Sequence, residues 1–372
     1  MKDSQINPQE HSEIKVLLLR KYLEKYISIL AHSPFISEVE VYDLFCGEGI
    51  YENGKTGSPV IILNLIRDIY LKYSSNFQGD INFKCVFNDF NKDKIAKLQK
   101  YISENNISLD GFGSFTCKNV DYNEIKIPLL DSKTPGNRRR FIFIDPYGYK
   151  DIKITDIERM LSDGFTEVLL FLPTQFMYRF EKEATPDSLQ IFLNDAMQDI
   201  ELKSSKSGID FINNLQQGFS NRLITKHVDS FIITREGNQY FAMFFFANHL
   251  YGLEKFLEAK WDIDEEQGRG WSPKSAGQID LFNPVDSSPV LDKFEENLKV
   301  FLREKRTNIE VHRFTILNRH LVKHTNIILK DLQDRNKLKV TLNDGKDARK
   351  GSFYIRWDDV KTREPKSYIQ IV

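Results

Sequence analysis

Cysteine is scarce: Cys46, Cys85 and Cys117 are the only thiols in 372 residues. Three scattered cysteines cannot build a disulfide framework or a zinc cage, and buried, reduced thiols are the expectation. Long apolar runs are missing too. The longest, Phe241 to Ala247, is far short of the roughly 20 residues a membrane helix needs. The first residues, MKDSQINPQE, hold no apolar segment of the signal-peptide kind, so a soluble, cytoplasmic protein is expected. Several catalytic spacings are also absent. Without HExxH, GxSxG or HxE with CxxC, the sequence excludes the zinc hydrolases, serine triads and zinc deaminases that need them. Internal repeats and low-complexity segments are lacking.

Net charge is small as well, −1 from 52 Lys+Arg against 53 Asp+Glu, and this average points to no partner. It conceals an asymmetry. Residues 290–372 carry 19 basic against 12 acidic side chains, a surplus of seven that leaves −8 for the rest. A basic tail on an acidic body is a layout for nucleic-acid binding, although an ordinary solvated surface looks the same. At 43.5 kDa the chain has room for two or more domains.

What is present is organised around residues 39–59, above all Asp43-Leu44-Phe45-Cys46-Gly47-Glu48-Gly49. Val39, Val41 and Leu44 read as a buried strand, and the glycines after it let the backbone turn sharply and approach a ligand. The pattern is not the dinucleotide fingerprint, because no third glycine opens a helix and an acid, Asp43, ends the strand. A carboxylate there repels a pyrophosphate but holds an ammonium. S-adenosylmethionine, with an α-amino group and a sulfonium, is the expected cofactor, on Asp43, Phe45, Gly47 and Gly49. A structural turn without a ligand is the plainer alternative.

Read in order, a helix from Glu10 to about Ala31 carries an apolar stripe of Ile14, Leu17, Leu18, Tyr22, Leu23, Tyr26 and Ile27. His11, Lys15 and Arg20 lie off the stripe and read as solvated surface. Gly57-Ser58-Pro59 opens a second helix. Strand Phe83–Phe87 ends in Asn88-Asp89, where Asp89 is placed for a ribose diol. Strand Ser114–Val120 has Asn119 and Asp121 at its end, either of which reaches an adenine ring or merely makes an Asx turn. A basic loop, Arg138-Arg139-Arg140, precedes a fully buried fourth strand, Phe141–Ile144, and a fifth runs from Val168 to Leu172. Right-handed crossovers then make a doubly wound sheet, closed by an antiparallel hairpin of Phe231–Thr234 and Tyr240–Phe246. The expected fold is α/β: a Rossmann-like methyltransferase sheet of five parallel strands plus that hairpin.

Three domains are expected: a helical extension over 1–36, the Rossmann-like domain over 37–285 and a winged helix over 290–372, with the boundary in a Gly- and Pro-rich loop at 262–289. In the winged helix, two short helices meet around His324-Thr325, and strands Lys337–Leu342 and Ser352–Trp357 flank the wing. Lys330, Arg335, Lys337, Arg349 and Lys350 are candidates for a phosphate backbone, with protein docking as the alternative.

Asp145-Pro146-Tyr147-Gly148 ends the central strand beside the glycine loop. Methylating an exocyclic amine of a base requires an acceptor that aims the lone pair and an aromatic face that holds the ring. Asp145, the Pro146 carbonyl and the Tyr147 ring offer these without a metal or covalent intermediate. A plain turn is the alternative. A cytosine carbon-5 mechanism needs a cysteine nucleophile, and none stands at this strand's end.

His11-Ser12-Glu13-Ile14-Lys15, Tyr22-Leu23, DLFCGEG, Gly57-Ser58-Pro59, IDPYG and FFFANHLYGLEKFLEAKW together resemble the three-Cys-motif partner (TcmP) family, over about Glu10 to Trp261 and into the tail. Cys46 and Glu48 depart from that family's DLFAGPG loop. The resemblance implies a methyltransferase-like fold encoded beside a radical-SAM-like three-cysteine protein, often in mobile or defence-associated neighbourhoods. Asn88-Asp89 and Asp145-Pro146-Tyr147-Gly148 are also similar to the ND and DPFG motifs of tRNA guanine N2-dimethyltransferases, a slight tilt toward RNA. A catalytically silent adaptor that binds a protein or nucleic acid is the competing expectation.

Overall fold

The computed structural model describes residues 10–51, 54–73, 81–131, 133–183, 186–197, 205–224, 226–235, 237, 239–272 and 289–372. Residues 1–9, Thr185, Glu236, Asn238 and most of the expected 262–289 linker lie outside them. The chain divides into two compact units, residues 1–252 with 269–278 and residues 253–268 with 279–372.

The first unit is built on one sheet. Its strands are β1 (Glu38–Asp43), β2 (Asn82–Asn88), β3 (Gly113–Lys118), β4 (Arg138–Ile144), β5 (Thr166–Leu172), β6 (His227–Arg235), β7 (Gln239–Ala247) and β8 (Gly270–Trp271). They lie in the order β3-β2-β1-β4-β5-β7-β6-β8. The first five are parallel, and β7 runs antiparallel to both β5 and β6. This is the doubly wound Rossmann-like sheet expected, with one addition: two-residue β8 pairs in parallel with β6. β1 sits centrally, so the loop after it opens where the strand order reverses, the position at which such sheets accept ligands.

Its helices are α1 (Glu10–Ala31), α2 (Ser58–Tyr73), α3 (Lys92–Glu104), α4 (Tyr122–Ile125), α5 (Ile127–Asp131), α6 (Ile154–Met160), α7 (Thr174–Glu183), α8 (Asp187–Met197) and α9 (Gly208–Arg222). α3 starts where the Asn91 side chain accepts hydrogen bonds from the Asp93 and Lys94 amides. α1 is not a separate extension. Leu18, Leu19, Tyr22, Leu23 and Ile27 are fully buried, and the Tyr22 ring lies 5.6 Å from Phe141 of β4 and 4.8 Å from Phe245 of β7. Each such side chain contributes about 1.5–3 kcal/mol of burial.

The expected basic loop is strand. Arg138 and Arg140 begin β4 opposite Glu38 and Glu40 of β1. Their nitrogens reach those carboxylates at 2.9 Å (Arg138 to Glu38) and 2.8 Å (Arg140 to Glu40), so the charges neutralise across the ladder.

In the second unit, the C-terminal part of α10 (Leu250–Trp261) joins α11 (Asp292–Phe301), β9 (Arg306–Thr307), α12 (Asn308–Leu317), α13 (Val322–Asp334), β10 (Leu338–Leu342), α14 (Trp357–Val360) and β11 (Ser367–Ile371). A capping box of Thr307 and Glu310 starts α12. Two expectations are corrected here. The unit begins before the linker, because Trp261 lies 4.2 Å from the His324 ring and donates through Nε1 to the Arg319 carbonyl. The partner of β10 is β11, not residues 352–357. Tyr354 has φ +58, and the carbonyls of Phe353, Tyr354 and Ile355 accept from Ser367, Asn308 and the His312 ring, so that stretch cannot join a ladder.

Candidate functional site

The site starts at the tip of β1. The Leu44 amide donates to the Phe143 carbonyl of β4 and the Cys46 amide to the Asn88 carbonyl of β2, which fixes the turn between its two neighbours. Gly47 and Gly49 have φ of +66 and +76, a region L side chains rarely enter. A Cβ at Gly47 would stand in open space on the cleft side, whereas one at Gly49 would lie 2.3 Å from Leu98 Cδ1 of α3.

Asp43 is fully buried beneath this loop. Its Oδ1 accepts weakly from the Phe45 amide at 3.4 Å, its Oδ2 has no partner among the described residues, and the side chain is not part of the cleft lining. Burial pushes the carboxyl up to about 7; Ser58 and Phe45 oppose the rise, and the charges of Asp145 and Asp89 add to it.

Asp89 does not face the cleft. Its Oδ2 accepts from the Gly47 amide at 3.1 Å and its Oδ1 from the Asn91 amide at 2.8 Å, so it ties the glycine loop to the start of α3. Each oxygen accepts one backbone amide and the side chain is 3% exposed, so Asp89 holds the loop together, and a ribose diol would meet only its remaining lone pairs. Asn119 donates to the Asp89 and Phe90 carbonyls, and Asp121 caps α4 by accepting from the Asn123 amide. Both side chains therefore shape loops, and the Asx-turn alternative describes Asp121. Asn91, Asp93, Lys94 and Lys97 of the α3 start line the cleft instead.

At the tip of β4, Asp145, Pro146 and Tyr147 face the same cleft as Gly47 and Gly49. The cleft measures about 620 Å³, within the range of about 300–1,000 Å³ usual for ligand sites. Tyr147 is 70% exposed, with Lys94 bonded to its hydroxyl and 4.7 Å from its ring centre. Phe45 stacks on Tyr122 at 5.1 Å and forms part of the floor.

The far wall was not legible in the sequence. It comprises Phe171 near the end of β5 and Pro173 just after it, Phe176 of α7, Arg235 and Phe241 from the hairpin, and Ser12, Lys15 and Val16 of α1. Lys15, read as solvated surface, bonds Asp145 Oδ2 at 2.6 Å, whereas Arg20 is exposed as expected. No local signal distinguishes these two lysine- and arginine-bearing helix faces; only the 130-residue separation between Lys15 and Asp145, closed by the fold, does.

Burial raises the Cys46 and Cys85 thiols far above their ordinary range and Cys117 to about 11, so none is a ready nucleophile. Among the described residues no cluster of three metal-binding side chains occurs, and no helix is long and apolar enough to cross a membrane.

In the second unit, Arg335 pairs with Asp331 at 2.9 Å and Lys350 with Asp334 at 2.6 Å, both on or beside the exposed face of α13. Lys330, Lys337 and Arg349 are exposed. Two of the five expected phosphate contacts thus already have acidic neighbours.

No family model matches the chain, and no curated protein matches it. Solved structures do. One is the O-methyltransferase TomG from Streptomyces achromogenes in complex with SAM, with 11% identity, a TM-score of 0.33, and coverage of 65% of this chain and 91% of that one. Another is a putative rRNA-methylase from Clostridium thermocellum, at 10% identity and a TM-score of 0.30, covering 60% and 92% of the two chains. A third is a putative class I S-adenosylmethionine-dependent methyltransferase from Listeria monocytogenes, at 11% identity and a TM-score of 0.32, covering 67% and 63%. At such scores the likenesses have no bearing on what this chain does; its chemistry has to be read from the strand order and the cleft.

Proposed function

We propose that the chain is an S-adenosylmethionine-dependent methyltransferase acting on an exocyclic amine of a nucleic-acid base, with RNA slightly favoured over DNA. The observation that carries this reading is the meeting of two adjacent strand tips in one cleft, Gly47 and Gly49 after β1 and Asp145-Pro146-Tyr147 after β4. The residues suit the cofactor. Asp43, which does not itself line the cleft, has a buried oxygen without a partner among the described residues beneath a loop whose Gly47 leaves room that a side chain would fill, and its carboxylate, once ionised, favours a cation above it. When bound, the cofactor supplies an electrophilic methyl group on a sulfonium.

The chain's own residues then orient the acceptor. Asp145 Oδ1, which has no hydrogen-bond donor among the described residues, accepts from the amine and so aims its lone pair. Pro146 has no N–H and offers only a carbonyl for the second amine hydrogen. The exposed Tyr147 ring and the Phe176 ring across the cleft, 50% exposed, provide faces for a planar base.

The second unit, which we take as a winged helix, recruits the nucleic acid through Lys330, Lys337 and Arg349, with Arg335 and Lys350 released from their acidic neighbours. A three-cysteine-motif protein is the further partner that the resemblance implies, and copurification tests it. Asp145→Ala should lower methyl transfer at least 100-fold and leave calorimetric affinity for S-adenosylmethionine within about twofold; undiminished transfer removes Asp145 from the mechanism. The occupied oxygens of Asp89 and the Glu48–Lys97 pair at 2.8 Å favour a second reading, a silent adaptor. Absence of binding heat at high cofactor concentration would select it.

A further inference from the structure

We propose that Lys15 of α1 is a positioning residue of the acceptor site, anchoring Asp145 through Oδ2 so that Oδ1 is the one carboxylate oxygen offered to the acceptor. The inference rests on the methyltransferase reading above.

Three observations converge on it. The Lys15 ammonium lies 2.6 Å from Asp145 Oδ2, and the two side chains are only 12% and 22% exposed. The same ammonium stands 4.1 Å from the centre of the Phe171 ring, so a cation–π contact helps to hold it. Lys15, Phe171 and Asp145 line the same cleft as the glycine loop.

A lysine in this place is costly unless it has a task. Withdrawing an ammonium from water is offset only in part by a single partner, and an apolar side chain of similar size is often as stable or more so. α1 does not need it for docking, since Leu18, Leu19, Tyr22, Leu23 and Ile27 hold the helix to the sheet. The charge is needed at the strand tips. Asp43, Asp89 and Asp145 converge there, and the Asp145 charge is one of the causes that raise Asp43. Lys15 balances Asp145 and takes one of its oxygens out of play. A carboxylate held at one oxygen cannot rotate to offer the other, which is what aiming a lone pair requires.

The test uses the full chain, tritiated S-adenosylmethionine as methyl donor, and total RNA and genomic DNA of the expression host as acceptors. Lys15→Met should lower kcat about 10- to 100-fold, with KM for the donor and its calorimetric affinity within about threefold. Lys15→Arg should restore much of the loss. Adding Lys15→Met to Asp145→Asn should slow the enzyme no further, because both changes break one unit. This double variant leaves no unpaired charge and carries the comparison even if Lys15→Met alone folds poorly. Wild-type kcat in Lys15→Met, or an equal further loss in the Asp145→Asn background, overturns the proposal while leaving the methyltransferase reading intact. A wild-type chain that neither binds the donor nor transfers a methyl removes both.

Discussion

On the proposed reading, Asp43 sets the pH behaviour of the cofactor site. Its carboxyl, raised to about 7 by burial, is largely protonated below that value and then offers no charge to a cation. Affinity for S-adenosylmethionine should therefore climb by about tenfold between pH 6 and 8 and then level off, and calorimetry across that range checks it. Asp43→Asn should flatten the climb and hold affinity at or below its low-pH level. Gly49 is the other residue with one permissible identity. Alanine there keeps a strained φ of +76 and drives Cβ against Leu98, so Gly49→Ala should lower unfolding free energy by about 1–3 kcal/mol. Urea denaturation measures this. The glycines and the acid were visible in the sequence because turn chemistry is local. That Asp43 Oδ2 has no partner among the described residues was not, because it depends on what the surrounding elements bring.

At the scale of elements, charges on one strand are answered by charges on the next. Arg140 reaches Glu40 with a side chain only 6% exposed, whereas Arg138, 40% exposed, pairs near the surface. Arg140→Ala leaves the buried Glu40 with only the longer Arg138 contact at 4.0 Å and should cost about 3 kcal/mol, while Arg138→Ala should cost under about 1. Chemical denaturation of the two variants makes the comparison. α1 meets β5 in a second buried contact, Tyr22 bonded to Glu167, whose carboxyl burial raises to about 7. A raised acid is fully compatible with the fold below its ordinary value of 4.5 and opposes it increasingly as pH rises through 7. Glu167→Gln should accordingly flatten the decline in stability between about pH 4 and 7. The alternation that marked these strands was legible, but Arg138-Arg139-Arg140 read as a loop because charge masks strand character until Glu38 and Glu40 are known to stand opposite.

For the molecule as a whole, contact between sequence-distant segments decides where units begin. Trp261, with His320 and His324 packed against its ring, belongs to the C-terminal unit although it ends a helix that starts in the other. A fragment beginning at Gly252 should consequently melt cooperatively at a higher temperature than one beginning at Val290, as calorimetric scans of both would show. The order of helices and strands, the sheet class and the two glycine- and acid-bearing strand tips are written in local stretches of the chain, since periodicity and turn residues act within a few positions. Three pairings are written nowhere locally and came from packing alone: Lys15 with Asp145, Asp89 with the glycine loop, and β10 with β11. They span 130, 42 and about 30 residues, and burial rather than local preference selects among the many that chain length permits.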